Sequence, residues 1–137
     1  MTEAPAQLPA GLLDTCVLID ISTIDAADLP VQPQISTLTI AELGLGIAMA
    51  TTPAVLALRT ERMLEFEHIF EPIPFCPAAA RRFTSMAKLV IAAGRNPKPR
   101  KVDLMIAAVA SVNDLPLYTR NAADFKGIEN LLTVIPV

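Results

Sequence analysis

The chain has 137 residues, 53% apolar and 18% charged, which fits one domain with its own hydrophobic core and is too apolar for a disordered chain. With no Trp, one Tyr and five Phe, it argues against a surface of stacked rings for reading single-stranded bases. The net charge of -3 at first sight opposes a nucleic-acid partner, but residues 76–102 contain no Asp or Glu and hold Arg81, Arg82, Lys88, Arg95, Lys98, Arg100 and Lys101, a pattern that fits either a solvated helix face with a basic loop or a path for phosphates.

The elements are expected in the following order. Pro5 and Pro9 mark a loose N-terminal tail over residues 1–10. Residues 11–15 read as a short buried strand and 16–21 as a helix. A polar, Pro-punctuated crossover at 25–33 leads to a second strand at 34–37 and an apolar helix at 39–50. Thr52-Pro53 starts a helix with a capping hydroxyl and a proline in the first turn. That helix runs to about Ile69, with Val55, Leu56, Met63, Phe66 and Ile69 expected in the core and Arg59, Glu61, Arg62 and Glu65 facing water. Residues 71–75 suit a short extended segment. Pro77 opens a helix that ends near Gly94, residues 96–99 form a loop, and 100–113 form another helix. Strands follow at 117–119 and 132–135.

Strands alternating with helices indicate a parallel α/β sheet with right-handed crossovers and helices on both faces. The chain therefore reads as a single domain over residues 1–137. Residues 36–58 carry one charge, Glu42, and raise the question of a membrane span. Thr51-Thr52-Pro53 divides the stretch, and a lone Glu at membrane depth would be costly, so no span is expected. Cys16 and Cys76 have no metal-ligand spacing and read as buried, reduced thiols of a cytoplasmic protein. His68, the only histidine, lies in Glu65-Phe66-Glu67-His68, which reads as the wet face of a helix, so a mechanism needing a Ser-His or Cys-His pair gets no support.

Four acids stand out. Asp14 ends the first strand, Glu42 lies in the first turn of the helix after the second, Asp103 is near the start of its helix, and Asp124 follows the strand at 117–119. In open α/β folds ligands bind beyond the carboxyl ends of the strands. Each acid could instead cap a helix. Glu42 is the hardest to dismiss, as the one charge in a long apolar run. Four carboxylates together repel, and a hard divalent cation such as Mg²⁺ or Mn²⁺ relieves that repulsion while supporting phosphodiester hydrolysis. Asp20, Asp25, Asp28 and Asp114 lie in polar or turn contexts and read as surface residues.

The segments Leu13-Asp14-Thr15-Cys16-Val17-Leu18-Ile19, Ser36-Thr37-Leu38-Thr39-Ile40-Ala41-Glu42-Leu43, Asp103-Leu104-Met105-Ile106-Ala107-Ala108 and Thr119-Arg120-Asn121-Ala122-Ala123-Asp124-Phe125 resemble the four motifs of the PIN domain nucleases, in family order and over nearly the whole chain. Within that family the chain is similar to the VapC toxins of bacterial toxin-antitoxin pairs. The resemblance implies a three-layer α/β/α sandwich with a parallel sheet of about five strands. It implies a Mg²⁺ or Mn²⁺ site at Asp14, Glu42, Asp103 and Asp124, which are also the catalytic acids, supported by Thr15, Thr119 and Asn121. Arg100, Lys101 and Arg120 would position the RNA backbone. It implies a metal-dependent endoribonuclease toxin with a small VapB-like antitoxin as partner, an RNA substrate, a homodimeric state and no membrane. Cys16 stands where Ser is frequent in the family.

Other readings are a PIN-like module that binds RNA or protein without cutting, and a DNA-directed nuclease of the same fold. A haloacid-dehalogenase-type phosphotransferase would want an acid where Cys16 stands. A receiver domain would want an acidic pair and a late Lys, which are not found.

Overall fold

The computed structural model describes residues 7–137. Strands β1 (Ala10–Leu13), β2 (Gln32–Gln34), β3 (Leu117–Thr119) and β4 (Val134–Pro136) form one parallel sheet in the order β2-β1-β3-β4. A parallel bridge between Ser36 and Ile73 adds a further extended point, within the segment expected at 71–75. The sheet thus has four strands plus this bridge, where about five strands were expected.

Helices α1 (Thr15–Ile19), α2 (Thr37–Ala48), α3 (Pro53–Ile69), α4 (Pro77–Ala92) and α5 (Lys101–Val112) complete the fold. Successive strand residues point to opposite faces. Leu12 and Leu117 pack with Met86, Ile106 and Val109 of α4 and α5, whereas Leu13 and Tyr118 pack with Val17, Leu18 and Phe66 of α1 and α3. This is the expected three-layer sandwich. Gly11 permits it locally, since a Cβ there would lie 2.3 Å from Tyr118 Cε1.

The chain runs from β1 outward to β2 on one side and later returns to β3 on the other side of β1. The strand order therefore reverses between β1 and β3, and the crevice at their carboxyl ends is where such a sheet binds ligands.

Several boundaries differ from the sequence expectation. The second strand is Gln32–Gln34 rather than 34–37, because Pro33 is tolerated on an edge strand while Ser36 leaves the ladder to cap α2, accepting from Thr39 N. Helix α2 accordingly starts at Thr37, which places Glu42 in its second turn rather than its first. Residues 1–6 of the expected loose tail lie outside the described residues. Residues 7–10 are not loose: Gln7 Nε2 donates to the Ala26 and Leu29 carbonyls, Val31 N donates to Leu8 O, and Ala10 begins β1.

Helix α3 starts where Thr52-Pro53 places it, with Thr52 Oγ1 accepting from Val55 N. Of its five expected core residues only Phe66 is buried, while Leu56 and Ile69 are 45% and 69% exposed. Together with Leu45 of α2 and Met49 at its C-cap they leave the α2–α3 hairpin with an exposed apolar surface. Cys16 and Cys76 are free but only half-buried. Among the described residues no helix is long and apolar enough to cross a membrane.

Candidate active site

The register of β1 and β3 builds the site. Leu13 pairs with Tyr118, and Asp14 N donates to Tyr118 O at 2.9 Å, so Asp14 leaves β1 alongside Thr119 at the end of β3. Asp14 is the N-cap of α1 and is 3% exposed. Its Oδ1 accepts from Thr15 N at 2.9 Å and its Oδ2 from Thr119 Oγ1 at 2.9 Å. The capping role and the site role of Asp14 are therefore carried by different oxygens. Thr119 Oγ1 also accepts from Asn121 N at 3.1 Å, which ties the turn carrying Asp124 to the Asp14 carboxylate.

Glu42 reaches the same crevice from α2. Its Oε1 accepts from Thr15 Oγ1 at 2.6 Å, and Thr15 Oγ1 also lies 2.9 Å from Thr39 Oγ1. Asp103 stands in the first turn of α5, where its charge complements the helix dipole. Asp124 lies in the 3-10 turn Ala122–Phe125 after β3 and is ion-paired with Arg100.

The four acids share one electrostatic environment. Burial first, and then the charges of Asp14, Glu42 and Asp124, push the Asp103 carboxyl up to about 6, with Arg100 opposing. Burial also raises Asp14, and Asp124 adds to this, against hydrogen bonds from Thr119, Thr15 N and Cys16. The Cys16 thiol, 3.7 Å from Asp14 Oδ2, is raised by burial and by Asp14 and stays protonated.

Among the described residues no three His, Cys, Asp or Glu side chains converge closely enough to ligate one ion as they stand. The donor set nonetheless suits a hard cation. Asp14 and Glu42 each accept hydrogen bonds that leave lone pairs free, and Asp124 is paired with Arg100, so Asp14, Glu42 and Asp103 are the carboxylates that could offer oxygens without breaking an ion pair. Mg²⁺ is usually bound through one or two carboxylates and keeps several waters.

The basic residues divide. Arg82 donates to Ser111 Oγ near the far end of α5, away from the acids. Arg95 donates to Ala123 O, beside Asp124. Lys98, Arg100 and Lys101 are exposed near Asp103. Arg120 is exposed and lies 3.5 Å from Asp20, so Asp20 is an ion-pair partner rather than an isolated surface acid. Thr39, buried and hydrogen-bonded to Thr15, was not singled out in the sequence. The available signal was a hydroxyl one turn before Glu42 in an otherwise apolar helix.

The raised carboxyls have a measurable consequence. The folded state holds the Asp103 proton up to about pH 6, whereas an ordinary aspartate loses it near 3.8. Stability of the metal-free protein is therefore fully present at low pH as far as this group is concerned, and is lost as pH rises from about 4 to about 6. Asp103→Asn is expected to raise the melting temperature in EDTA at pH 7.5 by about 3 °C and to change it little at pH 4. Equal melting temperatures for the two proteins at pH 7.5 would contradict the shared field.

No protein-family model matches the chain. Ribonuclease VapC5 of Mycobacterium tuberculosis (strain ATCC 25618 / H37Rv) is 32% identical over 139 residues, spanning 98% of this chain and 96% of that protein. Ribonuclease VapC8 of Mycobacterium tuberculosis (strain CDC 1551 / Oshkosh) is 35% identical over 116 residues, spanning 82% and 98%. Among solved structures, that of VapBC-5 from Mycobacterium tuberculosis, a member of the VapBC family of toxin-antitoxin systems, matches with a TM-score of 0.78 at 30% identity, covering 94% of this chain and 99% of that one.

Proposed function

The chain belongs to the VapC family of ribonucleases, and from that premise we propose that it is the toxin of a bacterial toxin-antitoxin pair and cuts cellular RNA with Mg²⁺ or Mn²⁺ held by Asp14 and Asp103. The observation that carries this reading is the gathering of four carboxylates around one crevice: Asp14 is bonded to Thr119 at the end of β3, Glu42 reaches Thr15 from α2, Asp124 follows β3, and burial with the charges of these three pushes the Asp103 carboxyl up. Such a cluster is costly for a fold that has no use for it.

A bound Mg²⁺ or Mn²⁺ would lower the pKa of an attacking water and offset the charge developing on the scissile phosphate. Thr119 and Thr15 fix the oxygens of Asp14 and Glu42, so these carboxylates would be already oriented for a cation. Asp124 completes the acidic pocket, and Asn121 supports it through its backbone bond to Thr119. Lys101 and Arg120 position the RNA backbone. Arg100 does so as well once it leaves Asp124, and until then it serves as that acid's counter-ion.

The test is incubation of the purified protein with total cellular RNA. Cleavage is expected with Mg²⁺ or Mn²⁺ and none in EDTA. Cleavage that persists in EDTA would overturn the metal-dependent reading.

A toxin of this kind needs a partner that restrains it in the cytoplasm. The exposed Leu45, Met49 and Leu56 of the α2–α3 hairpin are the surface we assign to a small VapB-like antitoxin. A symmetric pairing of two toxin chains is part of the same proposal. Co-expression with the adjacent small reading frame is expected to relieve growth arrest, and sedimentation of the co-purified complex should give an even number of toxin chains. Arrest that no neighbouring product relieves would remove the antitoxin from the scheme.

A further inference from the structure

Charge in this chain is segregated. Residues 76–102 carry seven cations and no acid, and the rest of the chain carries four cations and fourteen acids. Three of the seven have a partner: Arg82 donates to Ser111 Oγ, Arg95 donates to Ala123 O, and Arg100 is paired with Asp124. Arg81, Lys88, Lys98 and Lys101 are exposed and, among the described residues, belong to no ion pair.

Helix α4 sets the direction of this charge. Ala79, Met86 and Val90 bury one face in the core with Leu12 and Leu117, which leaves Arg81, Thr84, Ser85 and Lys88 along the opposite, exposed face. Arg81 and Lys88 stand two turns apart, about 10 Å along the axis. Arg95 follows just past the positive-φ Gly94 that ends the helix. It donates to the carbonyl of Ala123, the neighbour of Asp124, so the stripe ends at the rim of the acidic crevice. The acids around α4 leave the stripe uncompensated. Glu129 accepts from Gly127 N with both carboxylate oxygens, Asp114 lies beyond the far end of α5, and Asp103 and Asp124 belong to the crevice. Ile91, 60% exposed, is the one large apolar side chain exposed on α4.

We propose that this face of α4, from Arg81 through Lys88 to Arg95, is a track for the sugar-phosphate backbone of the RNA on one side of the cut. The proposal rests on the ribonuclease reading and deepens it. The substrate is a strand long enough to run from the crevice along about 20 Å of helix, rather than a dinucleotide. Charge chooses the occupant. A body whose acids lie elsewhere repels a polyanion from its other surfaces and admits it along this one. Arg95 makes the stripe continuous with the acidic crevice. Cations and hydroxyls without exposed aromatic rings hold phosphates and sugars, which carry no sequence, so the track sets the path and length of the strand and leaves the choice of base to the crevice. A protein partner would want aromatic or aliphatic anchors at the centre of its interface, and Ile91 alone does not provide them.

The test uses Asp14→Asn as a non-cleaving parent and fluorescein-labelled, mixed-sequence oligoribonucleotides of about 6 and about 24 nucleotides, with affinity measured across a salt series. The parent should bind the long probe more tightly and with the steeper slope of log affinity against log salt. Adding Arg81→Gln and Lys88→Gln together is expected to weaken long-probe binding about tenfold, to lower its slope by about 1.4, and to leave the short probe unchanged. Arg81→Lys with Lys88→Arg keeps both charges and should keep the slope. Arg59→Gln removes a charge from α3, on the other face of the sheet, and should also keep it, which separates a track from a general loss of positive charge. An unchanged slope in the double glutamine variant would overturn the proposal, as would an equal loss for both probes. Unchanged RNA binding together with weakened capture of the co-expressed antitoxin would overturn it too and give the face to a protein. Failure of the ribonuclease reading looks different and takes the proposal with it: wild type would leave total RNA intact with Mg²⁺ or Mn²⁺, and the parent would bind neither probe, whatever residues stand at 81 and 88.

Discussion

Asp14→Asn is expected to abolish RNA cleavage while leaving the fold intact. The amide has nearly the shape of the carboxylate. Its oxygen can still accept from Thr15 N, and its NH₂ group can face Thr119 Oγ1, whose hydroxyl hydrogen is free to rotate. Burial and the Asp124 charge both disfavour an ionised Asp14, so removing the charge relieves strain in the metal-free protein. The cost falls on the cation, since a hard ion keeping most of its waters holds weakly to a neutral amide. Loss of about 4 kcal/mol of transition-state stabilisation corresponds to a rate reduction on the order of a thousandfold. The measurement is cleavage of total RNA beside thermal melts with and without Mg²⁺. Wild type should melt later with the ion, because binding to the native state stabilises it, and Asp14→Asn should lose most of that shift. Asp28→Asn is the control: Asp28 is exposed, whereas Asp20 would release Arg120. A fully active Asp14→Asn would remove Asp14 from the mechanism.

The sequence showed the acids more clearly than their surroundings, for a physical reason. Asp14, Glu42, Asp103 and Asp124 stand out because charge next to strand ends and within apolar runs is rare. Strand β3, at 117–119, was legible because three buried residues follow the turn at Asp114, whose φ of 53° ends the preceding helix. Strand β2 was not. Its residues are Gln-Pro-Gln, a poor strand by propensity, and what holds them is pairing with β1. The helix start at Thr52-Pro53 was readable because a cap is local. The burial of α3 was not, because apolar side chains on a helix do not say whether the surface that covers them belongs to the same chain.

The basic residues show the same limit. Seven cations in one acid-free stretch read as a single feature, yet Arg82 is directed to Ser111, Arg95 to the Ala123 carbonyl and Arg100 to Asp124. Arg59 and Arg62, in a helix with interleaved glutamates, read as solvent-facing; Arg59 is exposed and Arg62 half-buried, and both also line a groove between α1, α2 and α3 beside Glu42. Side-chain direction here depends on which carbonyls and carboxylates the fold brings near, and pattern in the chain does not carry that information.

Thr119→Val should reduce cleavage roughly 10- to 100-fold without touching any acid. Thr119 is fully buried, and its hydroxyl both donates to Asp14 Oδ2 and accepts from Asn121 N. Valine has nearly the same volume and neither function, so the Asn121 N–H and the Asp14 oxygen lose a partner, at a cost of about 1–3 kcal/mol in stability. The hydrogen bond from Thr119 is the foremost influence holding the Asp14 carboxyl down against burial. Without it Asp14 rises further, and its protonated share grows as pH falls, whereas it must be ionised to hold the cation. The loss should therefore be greatest at low pH and recover as pH rises, which a purely structural defect would not do. The measurement is Mg²⁺ affinity by thermal shift, together with cleavage rate, from pH 6 to 9 for wild type, Thr119→Val and Thr119→Ser. Serine restores the hydroxyl and should restore the pH profile even if it leaves a small cavity. A valine variant with lowered activity but an unmoved profile would show that Thr119 supports packing alone, and that the orientation of Asp14 comes from the backbone N–H of Thr15.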